Sequence, residues 1–236
     1  MSSEKISPIE EGQVLLFDKP VGWTSFDLVN KVRLMIRSEL GIRKIKTGHA
    51  GTLDPLATGL MIILTGKATK RTDEFKDLDK EYVAAIHLGK TTPSFDLETE
   101  VNGVYPTGHI TRELVEGRIK DFLGEVEQVP PLFSAKFIDG KRAYEFARKG
   151  HDRKLDPVKV TFREIELLDF NMPEIRLRVL CSKGTYIRSL ARDLGEALGS
   201  GGYLSGLRRT AIGAFRIDGA TDLEKFGFFL KQLKQS

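Results

Sequence analysis

The chain has little cysteine, little histidine and no long apolar run, and each shortage closes off a class of function. Its 236 residues include a single cysteine, Cys181, so no internal disulfide can form, and such sparing use fits a reducing cytoplasm. Cys181 shares its parity with Ile175, Leu177 and Val179 and reads as a small core residue. Four scattered histidines and that lone thiol offer no metal-ligand spacing. Residues 1–11 are polar and acidic and lack the apolar stretch of a secretory signal. The longest apolar run, Leu60 to Leu64, is far too short to cross a bilayer. No phosphate loop and no internal repeat is present. The cluster Gly199, Gly201 and Gly202 follows a helix rather than a strand, which excludes a dinucleotide fingerprint. These shortages predict a cytoplasmic protein with no membrane segment, no metal and no nucleotide or redox cofactor.

What the chain does have is length and a mild excess of positive charge. At this size folding removes roughly 70–75% of the unfolded surface from water, so no staple is required. The net charge is +4 and the pI about 9.0. The cations gather at Arg43, Lys44 and Lys46, at Lys67, Lys70 and Arg71, at Arg148, Lys149, Arg153 and Lys154, and at Arg208 and Arg209. The first two groups flank the most unusual segment of the chain, which points to a polyanionic substrate. The 33 acidic residues leave a mixed, solvated surface as the alternative.

That segment is Gly48-His49-Ala50-Gly51-Thr52-Leu53-Asp54-Pro55-Leu56-Ala57-Thr58-Gly59. It puts one carboxylate, one imidazole and three glycines into twelve residues. Pro55 keeps Asp54 out of the helical region, and the glycines let a ligand or a second backbone approach closely. Read physically, it is a rigid loop that presents Asp54 and His49 at fixed positions. Asp-Pro beside glycine is also ordinary turn chemistry.

Around this loop the patterning mixes strands and helices without strict alternation, which predicts an α+β fold. Val14 to Phe17 reads as a buried strand. Thr24 and Asp27 form a capping box for a helix whose face is Leu28, Val32, Ile36 and Leu40, stopped by Gly41. Strands are predicted over Leu60 to Thr65, from Tyr82 to Leu88, from Val158 with a bulge or turn to Leu167, and over Ile175 to Cys181. Helices are predicted over Thr111 to Phe122, Ala143 to Lys149 and Thr185 to Leu198. Thr91 to Tyr105 reads as loop, Gln128 to Gly140 as an irregular excursion, and Phe226 to Leu230 as a short closing helix.

Five segments stand out together: Asp18-Lys19-Pro20-Val21-Gly22-Trp23-Thr24-Ser25, the Gly48 to Gly59 loop, Lys80-Glu81-Tyr82, Gln128-Val129-Pro130-Pro131-Leu132-Phe133-Ser134-Ala135-Lys136, and Gly184-Thr185-Tyr186-Ile187-Arg188-Ser189-Leu190. Leu207-Arg208-Arg209-Thr210 and Gly213-Ala214-Phe215 follow. In this order, from about residue 13 to about residue 218, the chain resembles the tRNA pseudouridine synthase B family, whose members isomerise uridine 55 of the tRNA T-loop.

The resemblance implies a pseudouridine synthase fold, a large, mixed, mostly antiparallel sheet with helices and loops around a central RNA-binding cleft. It also implies roles. Asp54 is the catalytic nucleophile, Tyr82 stacks on the target base and takes part in proton transfer, and Arg188 pairs with the aspartate. His49 helps hold the uridine out of its stack, Tyr186 belongs to the Arg188 motif, and Leu207 touches the flipped base. Lys19 and Pro20 support the catalytic loop. The implied layout is a flexible tail over 1–12 and a catalytic domain over 13–218, with an RNA-clamping insertion over 130–155. A short helix or tail over 219–236 stands where many relatives carry an RNA-binding domain of the PUA type, which puts contacts to the acceptor arm in doubt. The implied partner is the tRNA T-arm stem-loop, bound by a monomer. Two other readings stand beside this one: the catalytic subunit of a guide-RNA-directed synthase, and an RNA-binding tRNA-folding factor. A glycoside hydrolase would want a second carboxylate paired with Asp54, and the loop supplies none.

Overall fold

A computed structural model describes residues 8–134, 136–138, 140–147 and 155–235. The chain divides into two compact units, residues 1–80 with 208–236, and residues 81–207. The first unit holds α1 (Pro8–Gly12), β1 (Val14–Lys19), α2 (Ser25–Leu40), β2 (Thr47–His49), β3 (Thr58–Thr65) and α3 (Thr72–Lys76). The second, apart from the first residue of its first strand, holds β4 (Lys80–Leu88), β5 (Lys90–Thr91), β6 (Gly103–Val104), α4 (Arg112–Lys120), β7 (Gly124–Gln128), β8 (Phe137–Ile138) and β9 (Lys141–Arg142). It continues with α5 (Ala143–Ala147), β10 (Val158–Asn171), β11 (Glu174–Cys181) and α6 (Ile187–Ala197). The next strand, β12 (Gly202–Ile212), is divided between the units after Leu207, and β13 (Phe215–Arg216) and α7 (Leu223–Gln235) complete the first.

In the first unit β3 is the organising strand. It runs antiparallel to β1, from Val14↔Leu64 to Lys19↔Gly59, and antiparallel to β2 at His49↔Ile63. It runs parallel to β12 at Arg208↔Thr58 and Arg209↔Gly59. All residues from Gly59 to Thr65 are buried, which explains an unbroken apolar run instead of an alternating one. Helix α2 forms as its sequence dictates. The Thr24 hydroxyl accepts from the Asp27 amide at 3.1 Å, Asp27 accepts from the Thr24 amide at 2.9 Å, and Gly41 ends the helix at φ 72°. Leu28, Val32 and Ile36 of α2 are buried, as are Phe226 and Leu230 of α7. The Phe226 ring meets Phe17 edge-on at 5.1 Å between centroids, a pairing worth about 1 kcal/mol beyond its area.

One boundary differs from expectation. The flexible tail was expected to reach residue 12, but residues 8–12 form α1. Ile9 is fully buried and its carbonyl accepts from the Thr65 hydroxyl at 2.8 Å, while Thr65 Oγ1 accepts from the Gln13 amide at 2.9 Å. The buried Ile9 side chain and the Thr65 hydroxyl both help to dock the turn. Residues 1–7 of that tail lie outside the described residues.

In the second unit the strand order is β12, β4, β11, β10, β7. Strand β10 pairs antiparallel with β11 on one side and β7 on the other. The break expected after Phe162 is a bulge inside one continuous strand, with a second irregularity between Leu167 and Asp169. Helix α6 buries Ile187, Leu190, Ala191 and Leu194. The α+β expectation holds, and the parallel β3–β12 pairing makes the sheet mixed. Strand β12 went unseen in the sequence because Ser205, Gly206, Arg208 and Arg209 break its apolar alternation. Of the expected clamp, 130–155, residues 135, 139 and 148–154 lie outside the described residues. The rest includes the β8–β9 hairpin and α5, tied by the Ala143 amide to the Lys136 carbonyl at 2.8 Å and the Tyr144 amide to the Ser134 carbonyl at 3.1 Å.

Candidate active site

The first unit holds four of the residues singled out in the sequence, His49, Asp54, Lys19 and Pro20, and places Lys19 near Asp54 and Pro20. Asp54 is half-buried on the irregular segment between β2 and β3. The segment is fixed by hydrogen bonds to its backbone on both sides of the carboxylate. Ser25, at the start of α2, accepts from the Leu53 amide at 2.8 Å and donates to the Leu53 carbonyl at 3.0 Å. The Gly22 amide donates to the Pro55 carbonyl at 2.8 Å. Beyond Pro55, the Ala57 amide closes a turn onto the Asp54 carbonyl at 3.1 Å. The residues before and after Asp54 are therefore held by groups from α2 and from the turn that precedes it.

Lys19 holds the same segment from beneath. Its side chain is fully buried, and Nζ donates to the carbonyls of Trp23 at 2.7 Å, Pro20 at 3.0 Å and Pro55 at 3.4 Å. Burial pulls its pKa down from 10.5 to about 8, and the nearby Arg209 pushes the same way. The charges of Asp54 and Asp27 oppose the fall. Lys19 is thus a support whose ammonium lies in the field of Asp54. Pro20 is exposed and contributes its carbonyl to Lys19. His49 ends β2, half-buried. Burial holds its pKa below the usual imidazole value, with a backbone contact to Gly51 opposing.

Arg209 is the anchor that sequence reading missed. It is only 1% exposed. Its guanidinium donates to the carbonyls of Leu60 at 2.7 Å, Gly51 at 3.2 Å and Thr52 at 3.3 Å. Five fixed donors on a planar group suit it to grip several carbonyls at once. The close approach needs glycine at 59, where φ is 105° and a Cβ would collide with the Arg209 backbone. Its neighbour Arg208 makes a two-point contact to Asp18, at 2.6 and 3.1 Å. Of the four cationic groups in the sequence, the pair Arg208 and Arg209 is thus occupied by protein partners. Both are engaged within their own unit. The signal available in sequence was Gly59 and Arg209 each sitting in a motif, without anything to pair them.

The second unit places the other four. Tyr82 lies on β4, 8% exposed, on the buried face with Ala84 and Ile86. Tyr186 is the N-cap of α6, and its amide donates to the buried Gln128 Oε1 at 2.8 Å. Arg188 is 4% exposed. It lies 3.5 Å from the buried carboxylate of Asp96 and donates to the carbonyls of Phe133 at 2.9 Å and Ser94 at 3.4 Å. Asp96 is a second group that sequence reading passed over, in the stretch 91–105 read only as loop. The carboxylate balances a guanidinium that would otherwise carry a full desolvation cost. Leu207 is half-buried on β12.

Comparison with known proteins gives a consistent result. Residues 37–187 match the model of the "TruB family pseudouridylate synthase (N terminal domain)", and residues 188–233 match that of the "tRNA pseudouridylate synthase B C-terminal domain". A tRNA pseudouridine synthase B of Phocaeicola vulgatus is 60% identical over 223 residues, covering 94% of this chain and 95% of that protein. One of Flavobacterium johnsoniae is 51% identical over 217 residues, covering 92% of this chain and 95% of the relative. Among solved structures, a Cbf5-Nop10-Gar1 complex aligns with a TM-score of 0.70 at 32% identity, over 94% of this chain and 55% of the matched chain. An H/ACA RNP bound to a substrate RNA containing 2'-deoxyuridine aligns with a TM-score of 0.68 at 28% identity, over 96% of this chain and 56% of the other. This chain therefore spans little more than half the length of those two solved chains.

Proposed function

The chain belongs to the TruB family of pseudouridylate synthases, and from that premise we propose that it isomerises uridine 55 in the T-loop of tRNA, as a monomer in the cytoplasm, with Asp54 as the nucleophile. The supporting observation is local. Asp54 is partly open to solvent, and the backbone on both sides of it is tied down by Ser25, Gly22, Lys19 and Arg209. A catalytic carboxylate held this way gains from orientation in advance of binding.

In the reaction uracil leaves C1′ of its ribose, rotates and rejoins through C5. An ionised carboxylate attacks C1′, or acts at C2′ to give a glycal. The base first leaves its stack, at a cost of a few kcal/mol, and an aromatic face returns about 1–3 kcal/mol. Tyr82 is proposed for that face and for handling the C5 proton, His49 and Leu207 for holding the everted nucleoside, Arg188 as a catalytic residue and Tyr186, of the same motif, as a substrate-binding one. Isomerisation conserves atoms and oxidation state, so the chemistry calls for no redox partner or group donor. Curated relatives cover nearly the whole of this chain and are nearly wholly covered by it. That balance favours a stand-alone synthase over a guide-directed subunit.

The test is release of tritium from RNA labelled at uracil C5. The protein is expected to release label from a T-arm stem-loop and from whole tRNA, and none from a T-arm whose target uridine is replaced by cytidine. No release from either uridine-bearing RNA would overturn the stand-alone reading and leave the guide-RNA-directed subunit and the RNA-binding, tRNA-folding factor.

A further inference from the structure

A second feature of the first unit lies away from the Asp54 loop. The last turns of α2 and the connection that follows enclose an open cavity of about 580 Å³. Five of its nine lining residues are cations, Arg33, Arg37, Arg43, Lys44 and Lys46, and none is acidic. Arg33 is half-buried and its guanidinium is fixed by the Asn30 side chain at 2.6 Å. The other four are exposed. Among the described residues none of the five enters an ion pair. Nearby surface charge is treated differently: Arg71 pairs with Glu74 and Lys76 with Asp73.

Through Asn30 and Leu34 this cavity adjoins a second, of about 340 Å³, lined also by Gly22, by Lys31, by the only tryptophan of the chain, Trp23, and by Asp27, whose carboxylate accepts from the Thr24 amide and hydroxyl. Gly22 is the residue whose amide holds Pro55 beside the catalytic carboxylate. The track thus leads from a wall of cations, past a half-buried aromatic ring, to the anchor of the Asp54 loop. Trp23 is half-buried and lines this surface cavity.

We infer that this basic track binds the phosphodiester backbone of the RNA substrate outside the catalytic loop. Repeating anions are what five unpaired cations along one wall can neutralise together, and each phosphate seated there releases a condensed counterion. An adjoining aromatic beside a basic groove is the combination that follows an RNA strand. The inference rests on the reading of the chain as an RNA-modifying enzyme, and it adds a contact surface to that reading.

The experiment measures affinity for the T-arm stem-loop against salt, using the whole chain and the double variant Arg37→Gln/Lys44→Gln. Both side chains are exposed, so the fold is not at stake. Loss of two phosphate contacts is expected to flatten the slope of log K against log salt by about 2 and to weaken binding about tenfold or more near physiological salt. The variant Arg37→Lys/Lys44→Arg keeps the charges and is expected to keep the slope. An unchanged slope and affinity in the Gln variant overturns the inference. If the unaltered protein binds the stem-loop but releases no tritium, the function reading fails while the track is still judged by the slopes alone.

Discussion

Two groups of cations in the first unit look alike in the sequence and do opposite things in the structure. Arg208 pairs with Asp18, and Arg209 turns inward onto the carbonyls of Gly51, Thr52 and Leu60. Arg37, Arg43, Lys44 and Lys46 stay exposed around an open cavity with no acid in its wall. Arg209 holds the segment that carries Asp54, Arg208 pairs with Asp18, and the second group lines the cavity. A run of basic residues therefore carries no information about its role until its partners are known. Backbone carbonyls, which sequence does not display as anions, are the partners that turn Arg209 inward.

The sharpest way to break this contrast is to remove one guanidinium from each group. Arg209→Met removes a buried guanidinium that donates to three carbonyls, the one of Leu60 itself buried. Each such loss costs about 1–3 kcal/mol, so a fall of about 3 kcal/mol or more is expected in urea unfolding. A smaller effect is expected from Lys19. Its pKa of about 8 lies below the ordinary value, so the ammonium is present below pH 8 and lost above it. As the pH rises through 8, its hold on Pro55 weakens and its attraction to Asp54 vanishes. The rate of tritium release is then expected to decline on the alkaline side with a midpoint near 8. Lys19→Arg keeps its charge at every accessible pH, and its alkaline limb is expected to move upward. A wild-type profile flat to pH 10 would contradict the account of Lys19. The smallest effect is expected from Arg37→Met, whose exposed side chain should change stability by no more than about 0.5 kcal/mol. Equal losses for the Arg37 and Arg209 variants would erase the distinction.

The parts of the fold written in local rules were legible in the sequence. Helix α2 announced itself through Thr24, Asp27 and Gly41, and β4 through the alternation from Tyr82 to Leu88. Strand β12 was hidden because its buried Arg209 is satisfied by hydrogen bonds rather than by apolar neighbours. Asp96 was hidden because a polar stretch reads as loop whether or not one of its acids meets a buried arginine. At the candidate site, Asp54 and its loop stood out from Gly and Pro chemistry alone. The support from Lys19 was implied only by resemblance, and that from Arg209 by nothing local, because it joins residues 51 and 209 across most of the chain.

The central claim is that the Asp54 carboxylate performs the chemistry on a loop held ready by its neighbours. Asp54→Asn alters one atom of one side chain and leaves in place the backbone hydrogen bonds from Ser25, Gly22, Lys19 and Arg209 that anchor the loop. Single-turnover assay of this variant with C5-tritiated T-arm RNA tests the claim most directly. The account predicts that it binds the RNA with near-normal affinity and releases no label. Full release by the Asn variant would contradict it.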